Sequence, residues 1–352
     1  MSIEIASRFA LKGAPIACER YGNGHINETY LVRTDKGAAY ILQKINRSVF
    51  KNVDGLMRNI ALVTRFLSER DPDPRHTLHL VPAVNGADYL IDERDQAWRT
   101  YDFVADSLCM DAVETPEDFR QSAVAFGVFQ RQLADFPAET LTETIPHFHD
   151  TPDRYRQLHE AIDRDVCGRR AGVQAELEFA LAHEDEAGTL TRMLASGELP
   201  LRVTHNDTKL NNVMLDSATR KPLCVIDLDT VMPGLAAYDF GDSIRFGAST
   251  AAEDEKDLSS VEMSLELFRS FADGYLSACT TLTDAERRSL PMGAKLMTLE
   301  CGVRFLTDYL SGDTYFRIHR PEHNLDRCRT QFKLVADMEK KWDEMRKIID
   351  SI

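Results

Sequence analysis

The stretch His205-Asn-Asp-Thr-Lys-Leu-Asn-Asn212, together with Val225-Ile-Asp-Leu-Asp229, decides how this chain is to be interpreted. Asp207 precedes Asn212 by five residues, and Asp227 ends an apolar, β-prone run. The segment between the two stretches is typical of a hairpin turn. A loop followed by such a hairpin is expected to bring these carboxylate and amide groups together.

These residue types meet the demands of phosphoryl transfer. A hydroxyl acceptor needs a carboxylate to take its proton, and Mg²⁺ needs hard oxygen ligands. We predict that Asp207 is the base and that Asn212 and Asp227 bind Mg²⁺. Asp229 is expected on the same side of the strand as Asp227, where it would assist the metal. A single acid is more often a cap or a strand end, but the joint pattern favours a catalytic site.

The five-residue spacing matches the catalytic loop of protein kinases. No Asp-Phe-Gly follows it, and Asp227-Leu-Asp229 stands in that place. This variant, with His205-Asn-Asp207, resembles the aminoglycoside phosphotransferase and choline kinase family of small-molecule kinases. The resemblance implies an α+β, two-lobed protein-kinase-like fold, with a small β-rich N-lobe and a larger, mainly helical C-lobe. It also implies ATP as phosphate donor, Mg²⁺ as cofactor and Asp207 as catalytic base.

Within that family, the chain is most similar to bacterial N-acetylhexosamine 1-kinases. The similarity lies in residues 22–30, 40–50, 207–250 and 302–316. It implies transfer of phosphate to the anomeric hydroxyl of an N-acetylhexosamine, and it makes Arg304 and Tyr315 candidate sugar contacts. Carbohydrate metabolism would then be the setting of the reaction.

The first hundred residues predict the nucleotide-binding part. Two β-prone runs, 30–33 and 39–43, are joined by a turn, and a helix is expected over 53–67. A glycine-containing loop before the first run can close over phosphates through its backbone N–H groups. The helix offers no glutamate to pair with Lys44, which leaves that lysine without an obvious partner. The predicted nucleotide-binding residues are Gly22, Gly24, His25, Asn27, Lys44 and Tyr101.

A sugar pocket needs hydrogen-bonding groups and an aromatic wall, which Arg304, Asp308 and Tyr315 would supply. Arg304 and Asp308 are four residues apart and face the same way on a helix. A plain ion pair on a solvated face is the equally good alternative.

The change from strand-rich to helix-rich sequence near residue 104 predicts an N-terminal nucleotide-binding lobe over 1–103. A C-terminal catalytic and substrate-binding lobe is expected over 104–352. A helix is also predicted to begin after Thr115, a good N-cap that proline follows. Further helices are predicted near 152–163, 175–196, 255–279, 284–311 and 321–350. His147, His149, His319 and His323 lack a metal-site signature and are expected to be surface or loop residues.

The composition of the chain limits the kinds of partner that it is expected to bind. A net charge of −15 argues against nucleic acid, because phosphate backbones need a basic surface. Seven scattered cysteines without a CxxC pair indicate reduced thiols in the cytoplasm. We find no signal peptide and no apolar run near the roughly 20 residues of a membrane span. The expected partners are ATP and a small sugar, with no membrane and no evident protein partner.

Two alternatives stay open at this point. The acceptor could be an aminoglycoside, choline, homoserine or another sugar, and a cationic acceptor would require acids facing the site. The chain could also be a nucleotide-binding pseudokinase that regulates another protein. The intact set of Asp207, Asn212 and Asp227 argues against a pseudokinase, while the missing partner of Lys44 argues mildly for it.

Overall fold

A computed structural model describes residues 2–22 and 26–352 of the chain. The chain divides into two compact units. The first unit comprises Met1–Cys109, Asp135–Pro146 and Val213–Pro233, and the second comprises Met110–Ala134, His147–Asn212 and Gly234–Ile352.

Strands are concentrated in the first unit and helices in the second. The strands are β1 (Pro15–Arg20), β2 (Glu28–Thr34), β3 (Ala39–Ile45), β4 (Leu90–Ile91), β5 (Ala97–Asp102), β6 (Ser107–Leu108), β7 (Arg202–Thr204), β8 (Val213–Asp216), β9 (Pro222–Val225) and β10 (Met232–Gly234). The α-helices are α1 (Ser2–Ala6), α2 (Val53–Ser68), α3 (Pro116–Gln132), α4 (Thr151–Arg164), α5 (Gln174–Ala182), α6 (Glu184–Ala187), α7 (Thr189–Ala195), α8 (Ala236–Gly247), α9 (Leu265–Ala278), α10 (Asp284–Leu310), α11 (His323–Lys340) and α12 (Trp342–Ser351). Single 3-10 turns occur at Ala138–Thr140, Arg170–Gly172, Leu210–Asn212, Leu228–Thr230 and Leu258–Ser260.

The first unit is built on an antiparallel sheet of order β1-β2-β3-β5-β4. Alternate residues of β3, Tyr40 and Leu42, are buried against Trp98 of β5 and Phe9. The turn between β2 and β3 is closed by a hydrogen bond from the Thr34 N–H to the Ala38 carbonyl. These elements confirm the two predicted strands and their turn.

Helix α2 and a second sheet complete the first unit. Asn52 caps α2 by accepting the Gly55 N–H, and the helix buries an apolar stripe that includes Leu56, Ile60 and Val63, as its spacing predicts. The second sheet has the order β6-β8-β9, and Asp216 and Lys221 close the predicted hairpin between β8 and β9.

The second unit packs around α10, a helix of 27 residues that a Thr283–Glu286 capping box starts. Helices α8 and α10 lie close together because two glycines face each other's backbone. A Cβ on Gly241 would lie 2.3 Å from the Gly293 carbonyl oxygen, and one on Gly293 would lie 2.2 Å from that of Ala237. This close packing fixes the position of α8, whose acids Asp239 and Asp242 hold the backbone of residues 205–208.

Three predicted helices need correction. The segment 175–196 forms three short helices, α5 to α7. The segment 255–279 is helical only from Leu265, because the Ser264 side chain caps the helix there and residues 249–263 form a loop closed by a bridge. The segment 321–350 is broken at Lys341, between α11 and α12. The predicted α+β, kinase-like fold class is nevertheless confirmed. None of the helices in residues 2–22 and 26–352 is long and apolar enough to span a membrane.

Candidate active site

The second unit holds the catalytic loop, residues 205–212, directly after β7. The amide nitrogen of Asn212 donates to the Asp207 carboxylate over 3.3 Å and to its backbone carbonyl over 2.8 Å. Lys209 Nζ lies 2.8 Å from the other oxygen of that carboxylate. The Asp207 side chain remains 25% exposed, so a substrate hydroxyl can reach it.

Two acids of α8 hold the backbone of this loop. Asp239 accepts the N–H groups of His205 and Asn206 over 2.9 and 2.8 Å, and Asp242 accepts the Thr208 N–H over 2.9 Å. Burial raises the pKa of Asp239 to about 6. Both acids are therefore occupied in holding the loop backbone.

His205 is completely buried and packs edge-on against Phe126 and Phe129. Its Nδ1 accepts the Asp207 N–H over 3.3 Å. The histidine at the start of the motif thus anchors the loop to the helical core and helps to orient the peptide that carries Asp207.

Lys209 was missed by sequence reasoning. Burial lowers the pKa of its ammonium group, but the Asp207 and Asp242 carboxylates outweigh burial and raise it overall. The lysine is therefore a fixed cation beside the predicted base. A lysine two residues after that aspartate was the signal in the sequence.

The first unit holds Asp227, but not at the end of a strand. Strand β9 ends at Val225, and Asp227 adopts a left-handed conformation with φ +59° before the turn Leu228–Thr230. The alternation expected to place Asp229 beside Asp227 does not apply, because neither residue belongs to a strand. The left-handed turn redirects the chain instead.

Asp229 is buried in a polar network of the first unit. Its carboxylate accepts the side-chain amide of Asn27 and forms an ion pair with Arg99. The Asn27 side-chain oxygen accepts the Asn46 N–H over 2.9 Å. Asn27 therefore connects the end of the glycine loop to Asp229, and the metal-binding role of Asp229 stays a prediction.

Arg99, on strand β5, was also missed, and every residue of that strand except Asp102 is buried. Its side chain is 1% exposed, and its Nε donates to the Gln43 side chain over 2.9 Å. Burial opposes its charge, but the Asp229 carboxylate outweighs burial, so the pKa of Arg99 is raised. The signal in the sequence was a charged residue in the middle of a β-prone run, which could have indicated a buried ion pair.

The other predicted nucleotide-binding residues are placed as follows. Tyr101 is buried, 5.3 Å below the Arg99 guanidinium, so any nucleotide contact of its side chain stays a prediction. Gly22 is exposed with φ +70°. Gly24 and His25 lie outside the described residues.

Lys44 has a partner that the sequence did not reveal. Lys44 on β3 is paired in register with Glu28 on β2, and the two side chains form an ion pair of 2.5 Å. The Tyr30 hydroxyl donates to the same glutamate over 2.8 Å. The hydrogen bonds from Lys44 and Tyr30 lower the pKa of Glu28. A strand glutamate thus orients Lys44, where helix α2 offers none.

An aromatic and cationic cluster lies in the second unit. The Arg304 guanidinium is 5.4, 6.0 and 5.5 Å from the ring centroids of Phe148, Tyr315 and Phe316. Arg154 donates to the Phe148 carbonyl over 2.7 Å. Tyr315 is 66% exposed and presents an aromatic surface to solvent. We call these five residues the Arg304 cluster.

Asp308 does not pair with Arg304 within the described part of the chain. Its carboxylate accepts the backbone N–H groups of residues 314–316 over 2.9, 2.8 and 2.9 Å, and the Asn324 amide over 2.8 Å. The carboxylate is therefore occupied in holding the loop that carries Tyr315. A direct contact of Asp308 with a substrate stays a prediction.

The donor set fits Mg²⁺. Within residues 2–22 and 26–352, no three His, Cys, Asp or Glu side chains form a ready-made metal cage. Because the amide nitrogen of Asn212 is engaged by Asp207, its amide oxygen is the group left to bind a cation. The Asp227 carboxylate of the first unit is also a hard oxygen donor, so each predicted ligand is of a type that Mg²⁺ binds, and their sharing of one ion stays a prediction. Mg²⁺ typically takes one or two such ligands and completes its shell with phosphates and water.

The chain matches the model of a known protein family. The model of the phosphotransferase enzyme family matches residues 17–263. That range includes the catalytic loop, Asp227, Lys44 and the α8 acids.

Solved structures share the fold. An aminoglycoside phosphotransferase from Alicyclobacillus acidocaldarius is 15% identical, and the match covers 99% of this chain and 96% of that one with a TM-score of 0.61. A choline kinase from Cryptosporidium parvum is 14% identical, with 97% and 94% covered and a TM-score of 0.56. An amicoumacin kinase in complex with AMP-PNP and Ca²⁺ is 14% identical, with 95% and 92% covered and a TM-score of 0.60. At these identities the likeness shows the fold alone.

Proposed function

Because this chain belongs to the phosphotransferase enzyme family, we propose that it is an ATP-dependent kinase of a small neutral sugar. The product would be the 1-phosphate of an N-acetylhexosamine. The nucleotide analogue and divalent cation bound to the amicoumacin kinase support ATP and a metal as the reaction partners.

In this proposal Asp207 accepts the proton of the anomeric hydroxyl as that oxygen attacks the γ-phosphorus, and the bond from the γ-phosphorus to the β–γ bridging oxygen breaks to release ADP. Lys209 forms an ion pair with the Asp207 carboxylate and adds positive charge beside it. Asn212 and Asp227 would hold Mg²⁺, which neutralises charge on the phosphates when bound. Asp239 and Asp242 keep the loop backbone fixed, so little rearrangement is needed during the reaction.

On the nucleotide side, Lys44 would contact the phosphates. Its ion pair with Glu28 keeps the ammonium oriented on the strand, which reduces the entropy lost on binding. Asn27 and Arg99 hold Asp229 and so stabilise the segment that carries Asp227. These contacts support an active kinase over a pseudokinase, because the apparent lack of a Lys44 partner is removed.

The observation that carries the choice of acceptor is the charge of the Arg304 cluster. Burial and the charge of Arg304 lower the pKa of Arg154, so the two guanidinium groups lie close enough to interact. Glu300 acts on both arginines, and Asp153 also acts on Arg154. A choline or aminoglycoside cation placed here would meet like charge, which costs several kcal/mol. Exposed Tyr315 and the arginine donors instead suit the ring face and hydroxyls of a neutral sugar.

The test is ADP release with Mg-ATP and a panel of acceptors: N-acetylglucosamine, N-acetylgalactosamine, simple hexoses, choline, homoserine and an aminoglycoside. We expect turnover with the N-acetylated sugars, and phosphorus NMR should show a 1-phosphate. Turnover with a cationic acceptor alone would overturn the sugar assignment while keeping Asp207 and Asp227 in their roles. ATP binding without any turnover would favour the pseudokinase.

The substitution Arg304→Met is expected to raise the KM for the sugar by about tenfold or more, since one charged hydrogen bond is worth roughly 1.5–3 kcal/mol. The KM for ATP should stay unchanged. The matched control is Arg317→Met, an exposed arginine of the neighbouring loop. Equal sugar KM values in the two variants would remove Arg304 from the acceptor site.

The substitution Lys44→Met is expected to raise the KM for ATP by roughly tenfold, because the phosphates lose a charged partner. Glu28→Gln should have a smaller effect in the same direction, since the lysine is kept but no longer held by a charge. Lys36→Met, in the exposed β2–β3 turn, is the control. An unchanged ATP KM in Lys44→Met would exclude the lysine from phosphate binding.

The proposed setting is the cytoplasm, without an obligatory protein partner. All seven cysteines are free thiols in the structure, which supports the cytoplasmic setting because that compartment keeps thiols reduced.

A further inference from the structure

Thr208 directly follows the predicted base in the catalytic loop and is almost completely buried. Its N–H donates to the Asp242 carboxylate over 2.9 Å, and its hydroxyl donates to the backbone carbonyl of Asp239 over 2.6 Å. Its own carbonyl accepts the Ser243 hydroxyl over 2.9 Å. These three partners share one face of α8, because they are three and four residues apart. The peptide that joins Thr208 to the base therefore cannot rotate without breaking one of these hydrogen bonds.

Arg245 lies behind Asp242 on the same helix. Its Nε and Nη2 donate over 3.1 and 2.9 Å to the carboxylate oxygen of Asp242 that Thr208 does not use. The two side chains are only 7% and 9% exposed. Burial raises the pKa of Asp242, but the charges of Arg245 and Lys209 outweigh burial and lower it overall. The guanidinium, which stays charged in proteins, thus holds an ionised carboxylate in place.

The remaining nitrogen of the Arg245 guanidinium contacts a separate loop. Nη1 donates over 2.8 Å to Glu253, which lies between α8 and α9. The next residue, Asp254, accepts from Arg320 over 2.8 Å, and its carboxylate lies 2.9 Å from His323 Nε2. His323 is buried at the start of α11, so the expectation of a surface or loop position is wrong for it. The loop that Arg245 contacts is therefore itself anchored beside α11.

We propose that Arg245 is a positioning residue of the phosphoryl transfer. It connects Asp242 to the anchored Glu253. The Asp242 carboxylate in turn holds the Thr208 N–H and thereby the orientation of Asp207. Misplacement of a catalytic group by about 1 Å can cost roughly 100-fold in rate. The inference rests on the proposed function in one respect, the role of Asp207 as the base.

The alternative is that Arg245 contributes only to stability, and Lys295 of α10 is the matched control for it. The Lys295 side chain is also 7% exposed, and it also pairs with two carboxylates, Glu186 over 2.6 Å and Glu339 over 2.8 Å. In the part of the chain that the structure describes, neither glutamate contacts residues 205–212. Lys295→Met therefore leaves carboxylates without their partner but does not loosen the catalytic loop.

The first measurement is steady-state kinetics with the best acceptor of the panel, at a temperature at which calorimetry shows each variant to be folded. Arg245→Met is expected to lower kcat by about 10- to 100-fold with little change in the KM for ATP, because the loop loses its support. Lys295→Met should keep kcat within about twofold of the unaltered protein, although both substitutions lower the melting temperature. Equal kcat values in the two variants would overturn the proposal.

A mutant cycle tests whether Arg245 acts through Asp242. Asp242→Asn removes the carboxylate charge that Arg245→Met alone would leave unpaired, and its amide oxygen can still accept the Thr208 N–H. In this background, Arg245→Met should lower kcat by less than about threefold, because residues of one network have non-additive effects. A larger further loss would show that Arg245 acts by another route and would overturn the proposal.

Arg245→Lys takes the place of Arg245→Met if that variant does not fold. The lysine keeps the charge but lacks the planar fork that reaches both Asp242 and Glu253, so kcat should fall by about three- to tenfold. A kcat equal to that of the unaltered protein would contradict the positioning role.

Hydrogen exchange of the catalytic-loop amides tests the inference without any turnover. In Arg245→Lys, the Thr208 amide should exchange at least about threefold faster than in Lys295→Met, because its acceptor is less firmly held. Equal exchange in the two variants would overturn the proposal. Failure of the proposed function would appear separately, as absence of turnover with every acceptor in the unaltered protein.

Discussion

The substitution Asp207→Asn is expected to lower kcat by roughly 10²–10⁴-fold, the range that general-base catalysis contributes. The asparagine is isosteric, and its oxygen can still accept from Asn212, so the loop should keep its shape. What disappears is the group that takes the hydroxyl proton, together with the ion pair to Lys209. The KM for ATP should change little, because the nucleotide contacts proposed in the first unit are untouched.

The matched control for this prediction is Asp163→Asn, the same chemical change on the exposed face of α4. Both variants should unfold at temperatures close to that of the unaltered protein, since both positions are solvent-accessible. Turnover in Asp207→Asn above about a tenth of the control would show that another group takes the proton.

Local spacing predicted the part of the site that lies within one loop. Asp207 and Asn212 are five residues apart, and their side chains are indeed in contact. The short range of the motif explains this success, because a single 3-10 turn, Leu210–Asn212, sets the distance. The strands β2 and β3 and helix α2 were predictable for the same reason, since their hydrophobic periodicity is local.

Partners that lie far apart in the chain were not predictable. Glu28 meets Lys44 only through the register of β2 and β3, which periodicity does not specify across a turn of unknown geometry. The contacts of Arg99 with Asp229 and of His149 with Glu300 depend on how whole elements pack. Arg99, Asp229 and Glu300 are buried, although charged residues are expected at the surface by default.

Some residues have structural roles that differ from those predicted by their sequence pattern. Asp308 has the i,i+4 spacing of an ion pair with Arg304, yet its carboxylate accepts the backbone N–H groups of residues 314–316. Asp227 follows an apolar run, yet it leaves the strand in a left-handed turn. Asp308 satisfies backbone N–H groups, and Asp227 changes the direction of the backbone. Neither role can be deduced from the alternation of side chains along a strand or from helical spacing.

The substitution Asp227→Asn is expected to abolish most activity at ordinary Mg²⁺ concentrations, by roughly 100-fold or more, since metal stabilisation of phosphoryl charge is worth several kcal/mol. Asparagine tolerates the left-handed region, so φ +59° at this position should be kept without added strain. The variant therefore removes one negative charge while the turn between β9 and Leu228–Thr230 persists. Raising the Mg²⁺ concentration should recover part of the rate, because a weakened site is filled by mass action.

The control for this second prediction is Asp106→Asn, an exposed residue of the first unit with nearly the same conformation, φ +53°. Activity should be measured across a Mg²⁺ titration, and calorimetry should follow the binding of Mg-ATP. We expect the control to keep the ordinary Mg²⁺ requirement and Asp227→Asn to need about tenfold more metal or beyond, because a charged ligand contributes more than a neutral amide. An unchanged Mg²⁺ requirement with a lowered kcat would mean that Asp227 acts on the reaction without holding the metal. The ligand would then have to be sought elsewhere, and Asp229, once released from Arg99 and Asn27, would be the first residue to test.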